Sequence, residues 1–389
     1  PEDDERFPTI EAESPVARPS VEPEPPPSLP STGGAWVFQG PSPITDGQAE
    51  GITNRPVIGA VQSIVAHPTN PDILWAGTVN GGIWKTTNAT SASPTWTPLG
   101  DAFGSMSIGV LRLDPTDLTN NTLIAGQGRF SSLSSQGGSR LGVLRSTDGG
   151  SNWTALPGAG NILGGKNVIG VAARGVRIIV AVNNADVNSC TNLGIFRSTD
   201  SGASFTKISS GPSFGATGLP GGGAFDLMGD PTNITVLYTA VRDAPVCTSG
   251  GQNGVYKSTD TGANWVKVSD AAMDAMMTHP SPSNVKLAVG NAGQVYAGII
   301  NNGQLAGLFR SGTGGASWVQ LDTPSTNENG TGVGIQPQEE PGSQGSIHFS
   351  IVADPTNANI VYVGGDRQPG PGEGPLSWPN SIGAWDYSG

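Results

Sequence analysis

The feature that most constrains this chain is an eight-residue phrase, Ser-x-Asp-x-Gly-x-x-Trp, that returns at nearly fixed intervals. It stands as Ser146-Thr-Asp148-Gly-Gly150-Ser-Asn-Trp153, as Ser198-Thr-Asp200-Ser-Gly202-Ala-Ser-Phe205 and as Ser258-Thr-Asp260-Thr-Gly262-Ala-Asn-Trp265. A weaker copy is Ser311-Gly-Thr313-Gly-Gly315-Ala-Ser-Trp318, and a degenerate first copy runs from Thr86-Thr87-Asn88 to Trp96 through a short insertion. The third positions are 88, 148, 200, 260 and 313, so a copy recurs every 52 to 60 residues. A period of that size marks a stack of supersecondary units, none of which can bury its faces alone.

A second phrase precedes the first. Ile64-Val-Ala-His-Pro68-Thr-Asn leads to Ile73-Leu-Trp-Ala-Gly77, and the same shape returns at Leu113-Asp-Pro115-Thr, Gly229-Asp-Pro231-Thr-Asn and Ala353-Asp-Pro355-Thr-Asn. Each is an apolar strand A, a Pro-Thr turn and a strand B. Strand C is the Ile83-Trp-Lys or Phe196-Arg type, and strand D starts at the repeat aromatic. Four short antiparallel strands per unit predict propeller blades. The 58 Gly and 32 Pro agree with an all-β, turn-rich chain. In the C–D turn, Asp148, Asp200 and Asp260 are expected to accept backbone N–H bonds. The glycine two residues on supplies a positive φ, and Trp153, Phe205, Trp265 and Trp318 pack under the turn. Residues 1–34, rich in Pro and Glu, read as a disordered spacer, and 35–389 as the propeller. Trp36-Val-Phe-Gln-Gly40 looks like a stray strand D and is expected to complete the last blade. The reading is an all-β propeller of about six to seven four-stranded blades, with six units visible and the last incomplete.

This pattern resembles the bacterial-neuraminidase repeat, or Asp-box, superfamily, which includes sialidases, xyloglucanases, sortilin-type receptors and photosystem assembly factors. The resemblance covers nearly all of 36–389. It implies the fold strongly and the function weakly, because one fold hosts enzymes and binders alike.

Charge and cysteine usage limit the rest. A net charge of -12 disfavours nucleic acid, and no apolar run is long enough to span a bilayer. Cys190 and Cys247 sit in matching loops before matching strands, which predicts a disulfide and an extracellular or cell-envelope location. Three histidines without ligand spacing predict no metal site, and no cofactor motif is present.

The A–B and C–D turns are short and uniform, whereas the B–C and D–A connections are long and differ from blade to blade. Function is therefore expected on the long-loop face. The candidate ligand-binding residues are Arg129, Arg242, Asp226, Glu339, Glu340, His348, Arg367 and Trp378; His348, early in the sixth strand A at 346–353, and Asp226, in the fourth, are expected to line the central channel. Two classes compete. A sialidase-like enzyme requires a Tyr nucleophile paired with Glu. Of the five tyrosines, Tyr238, Tyr256, Tyr296 and Tyr362 fall in strands, and Tyr387 alone is expected to be free. A xyloglucanase resemblance places a catalytic Asp after the first strand B in a Thr-Asp-Ile-Gly-Gly setting; here the stretch is Thr78-Val79-Asn80-Gly81-Gly82, with Val79 in the acid's place. On these grounds the sequence favours a secreted or cell-surface recognition or scaffold propeller that binds glycan or protein, in a larger surface protein, over a glycoside hydrolase.

Overall fold

The computed structural model describes residues 36–40, 60–100, 103–130, 136–183, 192–209, 217–242, 252–277, 283–322, 325–328, 331–334, 345–364 and 384–388. Strand β1 (Trp36–Gly40) comes first. Five blades of four consecutive strands follow. Blade 1 holds β2 (Val61–Ala66), β3 (Leu74–Thr78), β4 (Ile83–Thr86) and β5 (Thr97–Pro98); blade 2 holds β6 (Ile108–Leu113), β7 (Leu123–Gln127), β8 (Val143–Ser146) and β9 (Thr154–Leu156). Blade 3 holds β10 (Val168–Arg174), β11 (Arg177–Val182), β12 (Gly194–Ser198) and β13 (Thr206–Lys207); blade 4 holds β14 (Gly223–Gly229), β15 (Leu237–Arg242), β16 (Gly254–Ser258) and β17 (Val266–Lys267). After helix α1 (Ala271–Met276), blade 5 holds β18 (Ser283–Val289), β19 (Val295–Asn301), β20 (Gln304–Ser311) and β21 (Val319–Leu321). A small hairpin, β22 (Ser325–Glu328) and β23 (Thr331–Gly334), and the short helix α2 (Gly345–His348) lead to β24 (Ser350–Ala353), β25 (Ile360–Gly364) and β26 (Ala384–Ser388).

The last three strands form a sheet in the order β1-β26-β25-β24. Trp36 pairs with Tyr387 and Phe38 with Trp385. The expected count of six to seven units is thus corrected: five blades are built from consecutive strands, and a further four-stranded sheet is a composite of both ends of the described chain. Its outermost strand is supplied from 36–40, where β1 pairs antiparallel with β26.

The inner strands pack in chain order, β2 on β6, β6 on β10, β10 on β14, β14 on β18 and β18 on β24. One apolar core lies at each of these five boundaries. Val65, Trp75, Leu111 and Leu123 fill the first, and Val110, Val171, Val180 and Phe196 the second. Ile169, Ile179, Leu227 and Trp265 fill the third, Tyr238, Val255, Leu287 and Phe309 the fourth, and Tyr296, Leu308, Ile351 and Val363 the fifth. Packing is close enough to demand glycine: a Cβ on Gly109 would lie 2.1 Å from the Val168 carbonyl oxygen.

The C–D hairpins explain the repeat phrase. In blade 2, Ser146 Oγ accepts from Gly150 N at 2.9 Å and donates to Asp148 Oδ1 at 2.8 Å. Asp148 in turn accepts from Asn152 N at 2.9 Å and Asn152 Nδ2 at 2.7 Å. Asp200 and Asp260 make the same bonds to Ser204 and Asn264. Where the acid is absent another oxygen takes its part: Asn88 Oδ1 accepts from Thr95 N at 2.9 Å, and Thr313 Oγ1 from Ser317 N at 3.0 Å. Gly150 at φ +95° turns the chain, and Trp153 Nε1 donates to its carbonyl at 2.8 Å.

A second rule joins neighbouring blades. Lys85 Nζ and Trp75 Nε1 both donate to Gly149 O in the next blade's hairpin, at 3.2 and 3.0 Å. Arg197 Nε does so to Thr261 O at 3.1 Å, and Lys257 Nζ and Tyr238 Oη to Gly314 O at 2.8 and 3.1 Å. The basic residue of strand C therefore fastens one blade to the next.

Candidate functional site

With the A–B and C–D turns gathered on one face, the starts of the inner strands and the ends of the B strands meet on the other. There the described residues form a polar girdle over blades 1 to 3. Ser107 Oγ donates to Asn80 Oδ1 at 2.7 Å and accepts from Gly138 N at 2.8 Å. Asn80 Nδ2 reaches Gln136 O at 3.4 Å, and Arg129 Nε donates to Gly138 O at 2.7 Å. Asn167 Oδ1 accepts from Arg129 N. Gln127 bridges Ser105 O and Leu141 N at 3.1 and 2.9 Å. The loop after β7 thus folds back over the end of β3, and Val79 beneath it is buried. Nearby, Lys286 of blade 5 lies 5.9 Å from the Phe130 ring, and Arg242 lies 5.8 Å from the Phe225 ring. Amides, hydroxyls and cations over aromatic rings suit a neutral ligand with many hydroxyls.

The structure distributes the expected site residues unequally. Arg129 belongs to the girdle, and Arg242 ends β15 on the same face. Asp226 is buried on inner strand β14: its Oδ1 accepts from Leu227 N and its Oδ2 from Leu287 N, each at 2.9 Å, so it binds blade 4 to blade 5. Facing it, Arg112 donates to Ser63 Oγ at 3.1 Å and Leu111 O at 2.9 Å and reaches Met228 Sδ at 3.2 Å. Burial lowers the Arg112 pKa, against the opposing charge of Asp226. His348 closes helix α2 rather than lying within strand A, which starts at Ser350 and not at 346. Glu339, Glu340, Arg367 and Trp378 lie outside the described residues, as do Cys190 and Cys247 and the spacer 1–34.

Tyr238, Tyr256, Tyr296 and Tyr362 lie in strands β15, β16, β19 and β25. Burial raises the Tyr238 phenol to about 12 and raises Tyr256 further. Tyr296 Oη donates to Ala358 O at 2.8 Å and Tyr362 Oη to Asp354 Oδ2 at 2.8 Å. Tyr387, expected to be free, is instead part of β26, opposite Trp36 and Val361.

The carboxylates sort in the same way. Bonds from Asn152 hold Asp148 at about 2, and bonds from Ser204 hold Asp200 at about 2. A group pulled down like this stays ionised near neutrality and cannot serve as a general acid. Asp274 pairs with Lys267 and accepts from Ser269, and Asp270 caps α1 through Met273 N. Among the described residues no group of three or more His, Cys, Asp or Glu is placed to hold a metal ion, and no helix is long and apolar enough to cross a membrane.

Asn80, Ser107, Asn167 and Arg112 were not singled out from sequence as site residues. Asn80 stood in the Thr78–Gly82 stretch, yet only as a neighbour of Val79. The other three carry no motif of their own, since their roles arise from contacts across blades.

No protein-family profile matches the chain. The probable oligoxyloglucan-reducing end-specific xyloglucanase of Neosartorya fischeri is 26% identical over 342 residues, covering 80% of this chain and 38% of that protein. The xyloglucanase of Hypocrea jecorina is 28% identical over 234 residues, covering 54% of this chain and 26% of that protein. The crystal structure of the GH74 xyloglucanase from Xanthomonas campestris superimposes with a TM-score of 0.50 at 19% identity, over 85% of this chain and 43% of that one. An ancestral GH74 enzyme gives the same TM-score at 18% identity, over 79% of this chain and 34% of that one. These structural likenesses carry the fold. The sequence likenesses overturn the expectation of a non-catalytic recognition scaffold, since the proteins the chain is similar to are named as xyloglucanases. The chain is a β-propeller that spans about two fifths of the first of these relatives and about a quarter of the second.

Proposed function

We propose that the chain is a propeller of the Asp-box kind from a xyloglucanase-like glycoside hydrolase, holding a xyloglucan-type β-glucan on its long-loop face. The observation that carries this reading is the run of similarity to xyloglucanases along four fifths of the chain. The girdle of Asn80, Ser107, Arg129 and Asn167 supports it, because paired amides and hydroxyls match sugar hydroxyls.

Glycoside hydrolysis needs two carboxyl groups flanking the scissile bond, one of them protonated. Val79 occupies the position where the xyloglucanase pattern has its acid, and the Asp148 and Asp200 hairpins hold their carboxylates ionised. The reading therefore assigns the acid pair to the long connections, with Glu339 and Glu340 the first candidates.

The test is incubation of the purified chain with xyloglucan and xyloglucan oligosaccharides, followed by measurement of new reducing ends. The expected result is release that falls at least about 100-fold in Glu339→Gln or Glu340→Gln, the scale of lost general acid–base catalysis. Release that survives in both variants would remove these residues from the role. Absence of release by the unmodified chain on all substrates would remove the activity from this chain.

A further inference from the structure

At the long-loop end of blades 2 and 3, buried polar side chains have partners. Asn167, just before β10, accepts from Arg129 N, and Ser107, just before β6, links Asn80 to Gly138. Gln127, which ends β7, holds Ser105 O and Leu141 N. Blade 5 departs from this. Asn284, near the start of β18, is 0% exposed, and neither its Oδ1 nor its Nδ2 has a hydrogen-bond partner. On the neighbouring strand, the Oδ1 of Asn301 at the end of β19 is buried without a partner as well. A carboxamide left unanswered inside a protein costs stability. Such a group calls for an explanation, and one is that something outside the chain answers it.

The ladder shows where Asn284 faces, because side chains alternate along a strand. Val285 and Leu287 belong to the core shared with blade 4, and Ala288 to the core shared with the composite sheet. Asn284 therefore lies with Lys286 and Ala288 on the composite-sheet side. Its ladder partner Ile300 packs in the same core as Phe349, the residue that follows α2. Helix α2 rests on β18, β19 and β20, and Gly345 N fastens it to the β19–β20 turn by donating to Gly303 O at 2.9 Å. Further along the same side of β18, Lys286 extends to the Phe130 ring, next in sequence to Arg129. This side of blade 5 therefore reaches the girdle of blades 1 to 3.

We propose that Asn284 is a sugar-contacting residue of the long-loop face, its carboxamide taking two adjacent hydroxyls of the glycan, and that helix α2 moves aside to admit them. The inference rests on the xyloglucan reading and adds to it one residue and one moving element. Chemistry selects the ligand. The carboxamide is neutral and offers a donor beside an acceptor, and two neighbouring pyranose hydroxyls return an acceptor and a donor. The cover is small: α2 is a single turn of four residues outside the β18–β19 ladder, so its displacement uncovers Asn284 and leaves the blade's backbone pairing intact.

The experiment is calorimetric titration of a xyloglucan heptasaccharide into the unmodified chain and into Asn284→Leu, a substitution of similar volume, with thermal melting of both. Asn284→Leu is expected to melt no lower than the unmodified chain, because an unanswered amide is gone, and to bind at least about tenfold more weakly, the scale of lost hydrogen bonds. An equal Kd in the two proteins would overturn the proposal and leave the xyloglucan reading standing. The second arm uses the unmodified chain alone and so does not depend on the variant's folding: the side-chain amide signals of Asn284 are followed by NMR through the same titration. A shift that saturates with the calorimetric Kd supports the proposal. Fixed Asn284 signals beside moving Asn80 and Arg129 signals would overturn this inference alone and assign the amide to a buried water. No heat and no shift anywhere would overturn it together with the xyloglucan reading.

Discussion

The middle of the propeller and its two ends are made from the same repeat yet are stabilised differently. In blades 2 to 5 each inner strand is pressed between two neighbours; the hairpin aromatic is buried in blades 3 and 4, where Phe205 is 6% and Trp265 3% exposed, and half-buried as Trp153 and Trp318 in blades 2 and 5. In blade 1 the corresponding Trp96 is 39% exposed, and its hairpin carries an insertion that moves the aromatic away from the turn. The difference teaches that the repeat specifies each blade's turns locally, whereas stability comes from having a neighbour on both sides. This is the behaviour of a quasi-one-dimensional array, in which interface terms dominate and terminal units are weakest.

The largest expected effect tests the core side of that contrast. Trp265→Ala removes a buried indole and its bond to Gly262 O, and is expected to cost about 3–5 kcal/mol. Trp96→Ala should cost less than about 1 kcal/mol, as an exposed residue does. Denaturant unfolding followed by circular dichroism compares the two, and equal costs would break the distinction between interior and terminal blades.

Next is the serine that organises each hairpin. Ser258→Ala leaves Gly262 N and Asp260 N without their acceptor, at an expected cost of about 1–3 kcal/mol. Ser311→Ala in blade 5 should cost the same, because Gly315 N and Thr313 N lose the same oxygen. A much smaller effect at Ser311 would show that the hairpins are not equivalent.

The acid response separates the blades more finely. Asp148 and Asp200 are held at about 2, below the ordinary carboxylate value of about 4 in an unfolded chain. A depressed folded-state pKa gives stability that is present above pH ~4 and is lost as pH falls towards ~2. Asn88 and Thr313 do the same work without a titrating group. Amide exchange should therefore show Asn152 N and Ser204 N losing protection between pH 4 and 2 while Thr95 N and Ser317 N keep theirs, and uniform loss would contradict the assignment. The smallest effect belongs to the outer strands: Val266 and Val319 are exposed, and Val266→Thr or Val319→Thr should change stability by less than about 0.5 kcal/mol in the same denaturant titration.

Much of this architecture was legible in the sequence because its signals are local. Asp148, Gly150 and Trp153 act within one turn, so their spacing announces it. The Asp-Pro-Thr turns behave alike, as Asp230 Oδ1 shows by accepting from Thr232 N and Asn233 N at 2.8 and 2.9 Å. What escaped reading depends on the distance between blades. Arg197 and Lys257 read as ordinary strand charges until the next hairpin's carbonyl is seen beside them. Asp226 read as a candidate ligand group, yet two backbone N–H groups from different blades occupy it. The preference for a non-catalytic scaffold rested on the tyrosines' places in strands and on Val79, and such local readings weigh less than similarity sustained along the chain.

The most direct test of the functional claim is hydrolysis of a defined xyloglucan oligosaccharide by this chain in ¹⁸O-labelled water, with products read by mass spectrometry. A xyloglucanase-like hydrolase is predicted to place one solvent oxygen at each new reducing end, in proportion to the protein added. Intact oligosaccharide with no shorter fragments at any protein concentration would contradict the account.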